Sequence, residues 1–495
     1  MKKIKDFRID RNLDSLDNVK KIKSCIDEFV YEDTVKDLSS NLSNLLEIPS
    51  EIINKKIKQV IYDKFDYYAN EPKFKIDFTL FESLKYFAFF IILVLFKKNI
   101  KLKNNKKEKV DIILDNVEKE YVVEKFGKIL SYFKKPLILV NKSFTNKNTS
   151  GHEAFFLNIN SSFLSNNILK GKTISSLRFI FRLFYFSQKN KLNLIKIFFT
   201  IFYSSLKYYK IFSSYDSKFL IHDRIYHSCA IRNYLFKKNG GNKILCLQSH
   251  IAEGTISVFC DIDTLLTFGK ENDTEKKLKL LGGTINSSAY VGSIRMEEGL
   301  KNTKIINEIN PIDILITGIN IANWVGTSKE ILNIYYEHIR WISKISKKYP
   351  KLKITIKHHP NYRGDATEKE IIKNTNINTI VKPENKLNSY HFLLKSKLIL
   401  SFGSTMIIEG RSLGKQCFFL DPEKKNSSFF TNLDYLNEIR ISNFEDLEKI
   451  VKKCTIDNES NMKIENEKFC LSHENASERV YKYLSKFEKH ENKNF

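Results

Sequence analysis

Short apolar runs alternate with amphipathic stretches over most of the chain after residue 110. Such runs are typical of buried parallel strands, and the stretches between them are typical of crossover helices. In the first half of the chain the pattern predicts strands at residues 110–114, 136–140, 243–247 and 263–268. A further segment, 286–292, leads to a loop with the sequence VGSIR.

The same pattern restarts near residue 311. It predicts strands at residues 312–317, 352–356, 379–381, 398–401 and 416–420. It predicts helices between them at residues 328–348, 367–374, 389–395 and 405–413. Strands that alternate with helices in this way form parallel sheets with right-handed crossovers.

Two such series predict an α/β protein in which two Rossmann-like domains face each other across a cleft. Residues 1–100 are polar and helical in pattern, so we expect a helical N-terminal region there. We expect the N-terminal Rossmann-like domain at residues 101–305, the C-terminal one at 306–455 and a helical tail at 456–495. The length of 495 residues agrees with more than one domain, because single hydrophobic cores rarely grow so large.

Two stretches are more apolar and aromatic than buried strands require. Residues 86–96 (YFAFFIILVLF) are fewer than the ~20 residues that a membrane-spanning helix needs. Residues 177–209 mix Phe, Leu, Ile and Tyr with Arg and Lys in a helical pattern. A basic, aromatic helix suits the surface of an anionic membrane, although helices buried in a core look similar. We favour peripheral membrane contact, and core packing is the alternative.

The N-terminal residues and the cysteines indicate the compartment. The N-terminus lacks the apolar core of a signal peptide. The seven cysteines are scattered without a C-x-x-C pair, which indicates reduced thiols and no zinc site. We therefore expect a cytoplasmic protein that is peripherally associated with the inner membrane.

The net charge of +25 indicates an anionic partner, such as a nucleic acid, an acidic membrane or a phosphorylated substrate. An AT-rich coding sequence would produce the same abundance of Lys, Asn, Ile, Phe and Tyr without any such partner. The basic residues are spread over the whole chain, and the sequence contains no motif of an RNA- or DNA-binding fold. We therefore expect no nucleic acid partner.

The stretch IKHHPNY, residues 356–362, ends one of the predicted strands. The residue before a proline is held in an extended conformation, and Pro360 has no N–H group to continue strand pairing. We therefore expect His359 to have a fixed orientation at the carboxyl end of a strand, where parallel α/β sheets bind ligands. The alternative is a surface turn that contains two histidines by chance.

The second informative stretch is LILSFGSTMIIEGRSLGKQCFFL, residues 398–420. Gly403 allows a ligand to approach the backbone, and Ser404 and Thr405 can cap the helix that follows. The free N–H groups at such a helix start attract phosphate. Glu409 shares a helix face with Thr405, where a carboxylate could accept hydrogen bonds from ribose hydroxyls. Ordinary helix capping with a solvent-facing glutamate is the alternative.

These two stretches resemble the HP motif and the Ser/Thr motif of GT-B glycosyltransferases, in particular bacterial surface-carbohydrate transferases and sialyltransferases. The resemblance covers roughly residues 110–450. It implies that the C-terminal domain binds a nucleotide-sugar and that the N-terminal domain binds the acceptor.

The resemblance also implies roles for individual residues. His359 with Pro360 would contact the nucleotide phosphate, and Ser404 with Thr405 would bind the same phosphate from the helix start. Glu409 would lie near the ribose. Gly318, which follows the predicted strand at 312–317, would line the cleft.

The N-terminal half resembles the same group through two short segments. LQSH ends in His250, where relatives often have a Gln-His pair without the inserted serine. Residues 252–254, AEG, resemble the two acidic residues and glycine of the sialyltransferases, with alanine in place of the first acid. Those enzymes use an acidic residue of this motif as general base, and only Glu253 is left to fill that role.

An inverting sugar transfer needs a base for the acceptor hydroxyl and groups that offset charge on the departing phosphate. Glu253 or His250 could be the base, and Lys357, His359 and the backbone amides of residues 404–405 could stabilise the phosphate. The segment 261–263 has D-x-D spacing, but it opens a predicted strand, so we expect it to be structural. We therefore expect a metal-independent reaction that needs no cofactor.

The HP motif favours a CMP-linked or CDP-linked donor, by resemblance only. The acceptor would be a surface glycan, as in a capsule or lipooligosaccharide, or a lipid-linked glycan. A polyol-phosphate transferase that uses CDP-glycerol or a similar donor shares the fold and an HP-like site. A sugar-nucleotide epimerase would leave the aromatic stretches without a purpose, and a non-catalytic relative of the fold is a further alternative.

Overall fold

The computed structural model describes most of the chain. The described ranges are 1–7, 15–66, 73–95, 107–117, 122–140, 155–158, 169–224, 228–249, 259–271, 274–301, 307, 309–318, 329–359, 364–380, 388–425, 434–457 and 466–491.

The N-terminal region is a small helical cluster. Its helices are α1 Lys2–Lys5, α2 Ser15–Val30, α3 Asp33–Leu46 and α4 Ser50–Tyr62. In α3 the buried apolar residues recur every three or four positions, at Val35, Leu38, Leu42 and Leu45, so one face of the helix packs into the core. Two short antiparallel strands, β1 Phe65–Asp66 and β2 Lys73–Phe74, and the apolar helix α5 Leu80–Leu95 follow.

A seven-stranded parallel sheet forms the first α/β domain. Its strands in chain order are β4 Ile112–Val117, β5 Pro136–Val140, β6 Phe155–Asn158, β8 Phe219–His222, β9 Lys243–Leu247, β10 Asp261–Thr267 and β11 Thr284–Tyr290. A separate parallel pair is formed by β3 Glu108–Lys109 and β7 Tyr215–Asp216. The helices of this part are α6 Val122–Leu130, α7 Thr173–Asn190, α8 Leu194–Ser214, α9 Ala230–Lys238, α10 Thr274–Leu280 and α11 Ile294–Gly299.

A six-stranded parallel sheet forms the second α/β domain. Its strands are β12 Ile312–Thr317, β13 Ile354–Lys357, β14 Asn378–Ile380, β15 Ser396–Ser401, β16 Gln416–Leu420 and β17 Arg440–Ile441. The helices of this domain are α12 Lys329–Lys348, α13 Ala366–Ile372, α14 Ser389–Leu394, α15 Met406–Arg411 and α16 Phe444–Val451.

Both sheets have the strand order of the doubly wound Rossmann fold. In space the first sheet runs β6-β5-β4-β8-β9-β10-β11 and the second runs β14-β13-β12-β15-β16-β17. In each sheet the chain builds three strands outward, then returns to the other side of the first strand. The order therefore reverses between β4 and β8, and again between β12 and β15.

The last helices lie away from the second sheet. After α17 Asn466–Phe469, helix α18 Ala476–Glu491 packs on the first domain, where Val480 and Leu484 belong to the same buried cluster as Leu114. The rings of Tyr132 and Tyr481 stack with centroids 5.2 Å apart. The segment from 456 to 495, predicted as a helical tail, thus carries a helix that covers the N-terminal sheet.

The predicted fold class is confirmed: the chain has two parallel α/β domains with a helical N-terminal extension. The strands predicted at 136–140, 243–247, 312–317 and 416–420 have the observed bounds. Strands β6, β8 and β17 were not predicted, and β11 was only partly indicated by the segment 286–292. The predicted domain limits stay predictions.

The two aromatic stretches differ in burial. Helix α8 packs into the core along one side, where its own residues Phe198, Phe202 and Phe212 are buried. Helices α5 and α7 keep apolar side chains on the surface. Of the helices within the described ranges, none is both long and apolar enough to cross a membrane.

Candidate functional site

The candidate site lies at the point where the strand order of the second sheet reverses. In open parallel sheets, ligands bind in the crevice beyond the carboxyl ends of the strands at such a point. Strand β12 lies between β13 and β15, so the segments that follow these three strands are neighbours. Those segments carry Gly318, the residues 357–359 and the residues 401–405.

Gly318 brings the backbone that follows β12 against the histidine segment. Its N–H group donates to the carbonyl oxygen of Lys357 at 2.8 Å. A Cβ atom at position 318 would lie 2.9 Å from the backbone nitrogen of His359 and 3.0 Å from the Cα atom of His358. A side chain at this position would therefore push the histidine segment away from β12.

The two histidines of IKHHPNY have different surroundings. The His358 ring is buried, and its Nε2 atom lies 3.1 Å from Oε1 of Glu368. Burial is the main cause that lowers the pKa of His358 to about 4, and Lys357 and Lys369 add to the effect. His358 is thus a neutral structural residue that donates to Glu368. His359 is half-buried, and burial and then Lys357 lower its pKa.

Lys357 supports the turn from inside the protein. Its side chain is 4% exposed, and Nζ donates to the carbonyl oxygen of His358 at 2.7 Å. Burial lowers the pKa of Lys357. The predicted contact of Lys357 with a phosphate would have to share the ammonium group with this carbonyl.

Ser401, which was not among the predicted site residues, organises the segment after β15. Its Oγ atom donates to the carbonyl oxygen of Thr317 at 2.8 Å, across the point where the strand order reverses. The same Oγ accepts from the N–H groups of Gly403 at 3.2 Å and Ser404 at 2.9 Å. The serine at a strand end, just before Phe-Gly-Ser, was the available signal.

Ser404 and Thr405 stand at the start of α15 and are half-exposed. The Oγ atom of Ser404 accepts from the N–H group of Met406, the first residue of α15, at 3.3 Å, and Thr405 at the N-cap position makes no side-chain cap bond. Helix α15 has only six residues, so its dipole is small. The hydroxyl groups of Ser404 and Thr405 are therefore the more promising donors to an anion.

Glu409 lies at the junction of the two domains. Its side chain is 3% exposed. It accepts a hydrogen bond from Tyr390 Oη at 3.0 Å and a short one from Ser293 Oγ, which belongs to the first domain. Burial raises the pKa of Glu409, against the opposing effects of both hydroxyls and Arg295. The sequence alternative of a solvent-facing glutamate does not agree with this burial.

Three predicted site residues, His250, Glu253 and Pro360, lie outside the described residues. The structure describes the residues just before His250. Gln248 directly follows β9, and its Oε1 atom accepts from the N–H group of Phe268 at 3.0 Å. Gln248 thereby ties the carboxyl ends of β9 and β10 together.

A buried charged cluster occupies the corresponding point of the first sheet. Asp115 of β4 and His222 of β8 are paired neighbours, and Arg232 from α9 reaches both. Arg232 forms a close ion pair with Asp115, and its Nη2 atom donates to Nε2 of His222 at 2.9 Å. This cluster was not predicted, although in the sequence FLIH is followed by Asp223, so that polar residues end an apolar run as they do in IKHHP.

Both acidic residues of the D-x-D segment form ion pairs within the protein. Asp261 forms an ion pair with Lys55 at 2.6 Å, and Asp263 forms one with Lys237 at 2.6 Å. Asp263 also accepts from the N–H group of Ile244 at 2.9 Å. Within the described ranges, no three His, Cys, Asp or Glu side chains converge as a metal site would require.

No protein-family model matches the chain, and no curated protein matches it in sequence. Solved structures with some likeness exist. The UDP-GlcNAc 2-epimerase of Neisseria meningitidis, bound to UDP-GlcNAc, is 16% identical with a TM-score of 0.42; the match covers 76% of this chain and 100% of that one. The UDP-GlcNAc 2-epimerase of Methanocaldococcus jannaschii is 15% identical with a TM-score of 0.41, over 76% of this chain and 99% of that one.

A structure of the wall teichoic acid polymerase TagF, soaked with CDPG, is 11% identical with a TM-score of 0.43. The match covers 84% of this chain and 99% of that one. At these identities and TM-scores the likeness assigns neither a family nor an activity to this chain.

Proposed function

We propose that the protein is a GT-B-type glycosyltransferase. It moves a sugar from a nucleotide-sugar donor, with a CMP-linked donor favoured, to a surface glycan or lipid-linked acceptor. The reaction inverts the anomeric centre and needs neither a metal nor a cofactor. The protein works on the cytoplasmic side, at the surface of an anionic inner membrane.

The observation that supports this most is the position of residues 356–359 (IKHH) and 401–405 (SFGST). They flank β12 at the point where the strand order of the second sheet reverses, which is the general ligand-binding position of such sheets. The close approach of Gly318 to His359 fixes the histidine segment there. His359 and the hydroxyls of Ser404 and Thr405 would bind the nucleotide phosphate and stabilise it as it departs.

The proposal also assigns roles to a general base, to Lys357 and to Glu409. Glu253 or His250 would deprotonate the acceptor hydroxyl. Lys357 would act through its effect on the histidine segment as well as by its charge. Glu409 is 3% exposed, and its Oε1 atom accepts from both Ser293 and Tyr390, so a contact with the ribose would require the carboxylate to become more exposed than it is here.

Thermal stabilisation by nucleotides tests this function. The purified protein is heated with CMP, CDP, UDP, GDP or ADP, and His359→Ala is compared with the wild type. His473→Ala is the matched control, because His473 is another half-exposed histidine, next to α18 on the first domain. We expect one nucleotide to raise the melting temperature of the wild type and of His473→Ala, and to have no effect on His359→Ala.

Two results would contradict the proposal. If none of the five nucleotides stabilises the wild type, the chain is better explained as a non-catalytic relative of the fold. If a nucleotide stabilises His359→Ala as much as the wild type, the nucleotide binds elsewhere.

The second candidate function is a polyol-phosphate transferase that uses a CDP-glycerol-type donor. It would use the same segments, because it also has to bind a cytidine nucleotide by its phosphates. Mass spectrometry of the acceptor product separates the two functions. A mass increase of a sugar supports the glycosyltransferase, and an increase of a polyol phosphate supports the alternative.

A further inference from the structure

Helix α5 exposes a stripe of apolar side chains along its whole length. The exposed side chains are 42% to 84% accessible and are Leu80, Phe81, Leu84, Phe89, Ile92 and Leu95. The opposite face of the helix, with Phe90 and Val94, is buried against α7 and α8. Contiguous apolar surface of this kind marks an interaction site.

Helix α7 continues this surface with a different pattern. Ile174, Phe181 and Tyr185 are each more than half exposed, and the exposed Arg178 and Arg182 lie among them. Residues three or four positions apart share one face of a helix, so apolar and basic groups alternate along this face. The rings of Phe87 and Phe181 contact each other with centroids 5.2 Å apart, which joins the two helices into one surface.

Cations lie beside aromatic rings on this surface. The Nζ atom of Lys85 is 5.8 Å from the ring centroid of Phe89, and that of Lys189 is 5.9 Å from the ring centroid of Tyr185. The guanidinium of Arg182 is 5.6 Å from the ring centroid of Phe186. Aromatic rings with neighbouring cations are the side chains that favour the boundary between lipid headgroups and acyl chains.

A basic groove opens beside α7. It is a cavity of about 580 Å³ between α3 and α7, and Lys172, Arg178 and Arg182 line it. Lys172 pairs with Glu47 and Arg182 with Asp37, both at 2.7 Å. In the part of the chain that the structure describes, no carboxylate lies within ion-pair distance of Arg178. The guanidinium of Arg178 can therefore receive an external anion.

Two partners could cover this surface: a second copy of the chain or an anionic lipid bilayer. The charge of the surface favours one of them. In a symmetric dimer the same patch would meet its own copy, so the cations of one copy would face the cations of the other. Like charges across an interface oppose binding. An anionic lipid leaflet is complementary to both the apolar stripe and the cations, because it offers acyl chains below a layer of phosphates.

We propose that α5 and α7 form the face by which the protein docks on an anionic phospholipid bilayer. The stripe of α5 enters the boundary between headgroups and acyl chains, and the groove at Arg178 takes a lipid phosphate. This inference rests on the membrane contact of the proposed function and names the surface that makes it. The docking face uses no residue of the candidate nucleotide site, so its test does not depend on nucleotide binding.

Vesicle co-sedimentation of the full chain tests this proposal. The vesicles contain phosphatidylcholine alone or phosphatidylcholine mixed with phosphatidylglycerol. We expect the wild type to bind the mixed vesicles and to bind phosphatidylcholine vesicles much more weakly. The double variant Phe81→Ser, Ile92→Ser should bind about a hundredfold more weakly because it removes the inserted apolar groups.

The basic groove is tested by Arg178→Glu. We expect its affinity for the mixed vesicles to fall about tenfold, with little change for vesicles of phosphatidylcholine alone. If the ligand is a lipid phosphate in a bilayer, excess inorganic phosphate should not displace the wild type from the mixed vesicles. If inorganic phosphate lowers vesicle binding by the wild type as much as Arg178→Glu does, the groove binds free phosphate. That result would overturn this part of the proposal.

Matched controls lie far from this surface. Leu280→Ser removes an equally exposed leucine from α10, and Lys351→Glu reverses an exposed charge in the second domain. Both should bind vesicles as the wild type does. His359→Ala should also bind vesicles normally, so a failure of nucleotide binding and a failure of membrane docking are seen separately.

Three results of the vesicle assay overturn the proposal. The wild type could ignore mixed vesicles, the double variant could bind them as tightly as the wild type, or both controls could lose as much binding as the variants. Light scattering gives an independent check. A wild-type dimer that Phe81→Ser, Ile92→Ser converts to a monomer would assign the surface to self-association instead.

Discussion

His338 on α12 is buried among aromatic rings. Its side chain is 1% exposed, and its ring lies nearly parallel to that of Phe402 with centroids 6.0 Å apart. Neither ring nitrogen has a hydrogen-bond partner among the described residues. Burial lowers the pKa of His338 from 6.5 to about 3. Below pH 6.5 the unfolded chain therefore binds a proton that the folded protein does not, so stability falls as the pH falls.

We expect His338→Phe to protect the protein against acid. The pKa of the histidine in the unfolded chain is about 6.5, so pH 5 lies about 1.5 units below it. Protonation of the unfolded chain therefore lowers the wild type's free energy of unfolding by about 2 kcal/mol at pH 5 relative to pH 8. The phenylalanine variant keeps the ring contact and lacks this loss. Urea denaturation at pH 5 and pH 8 measures the difference, with the less buried His473→Phe as control. Parallel losses in wild type and His338→Phe would show that His338 does not titrate in this way.

The environment of a site residue could be predicted only where residues next to it in sequence determine that environment. The sequence placed His359 at a strand end because the next residue is a proline. It could not show that His358 is buried, because its partner Glu368 comes from α13 and is itself held by the hydroxyl of Tyr335 on α12. Glu409 is a similar case, since Ser293 comes from the other domain.

At the scale of elements, apolar content decided which strands were predictable. The strands IDILIT, QCFFL and KILCL are apolar enough to be read from sequence, and their observed bounds agree with the prediction. Strand β11, TINSSAY, is polar because it lies at the edge of its sheet. Strand β8 has only four residues and ends in His222, so its run was too short to stand out.

The cluster of Asp115, His222 and Arg232 holds β4, β8 and α9 together. Asp115 and Arg232 are at most 1% exposed, so loss of one partner leaves the other charge buried and unpaired. We expect Arg232→Leu to lower the free energy of unfolding by about 3–5 kcal/mol. Urea denaturation measures this loss.

The control for this prediction is Lys237→Leu on the same helix. The Lys237 side chain is 46% exposed. Its partner Asp263 is 7% exposed but keeps hydrogen bonds from the N–H group of Ile244 and from Asn286 when the lysine is removed, so we expect a smaller loss of about 1–2 kcal/mol. Equal losses in the two variants would mean that the pair of Asp115 with Arg232 contributes no more than this half-exposed ion pair.

At the scale of the whole molecule, the junction between the domains contains an ionisable group without a full counter-charge. Glu409 is buried between α14, α15 and Ser293, and burial raises its pKa. The folded protein therefore holds a proton on Glu409 more tightly than the unfolded chain does. As the pH rises above 4.5, the usual carboxyl pKa, this group makes the folded state progressively less stable until the pH passes its raised pKa.

We expect Glu409→Gln to remove this loss at higher pH. The amide oxygen of glutamine can accept the hydrogen bonds of Ser293 and Tyr390 without a charge. The variant should therefore gain melting temperature relative to the wild type between pH 5 and pH 7. Glu445→Gln, at an exposed position on α16, should show no such gain. A melting temperature of Glu409→Gln that falls with pH as steeply as that of the wild type would argue against this role.

Helix α18 also has a consequence for biosynthesis. It covers part of the first sheet, yet the entire second domain is translated between that sheet and the helix. Domains generally fold in the order in which the ribosome releases them. Here the first domain emerges early but keeps the surface around Tyr132 and Leu114 uncovered until residues 476–491 have left the ribosome. During that interval the nascent chain presents an apolar surface that a chaperone can bind, and a message truncated before codon 476 would leave that surface open permanently.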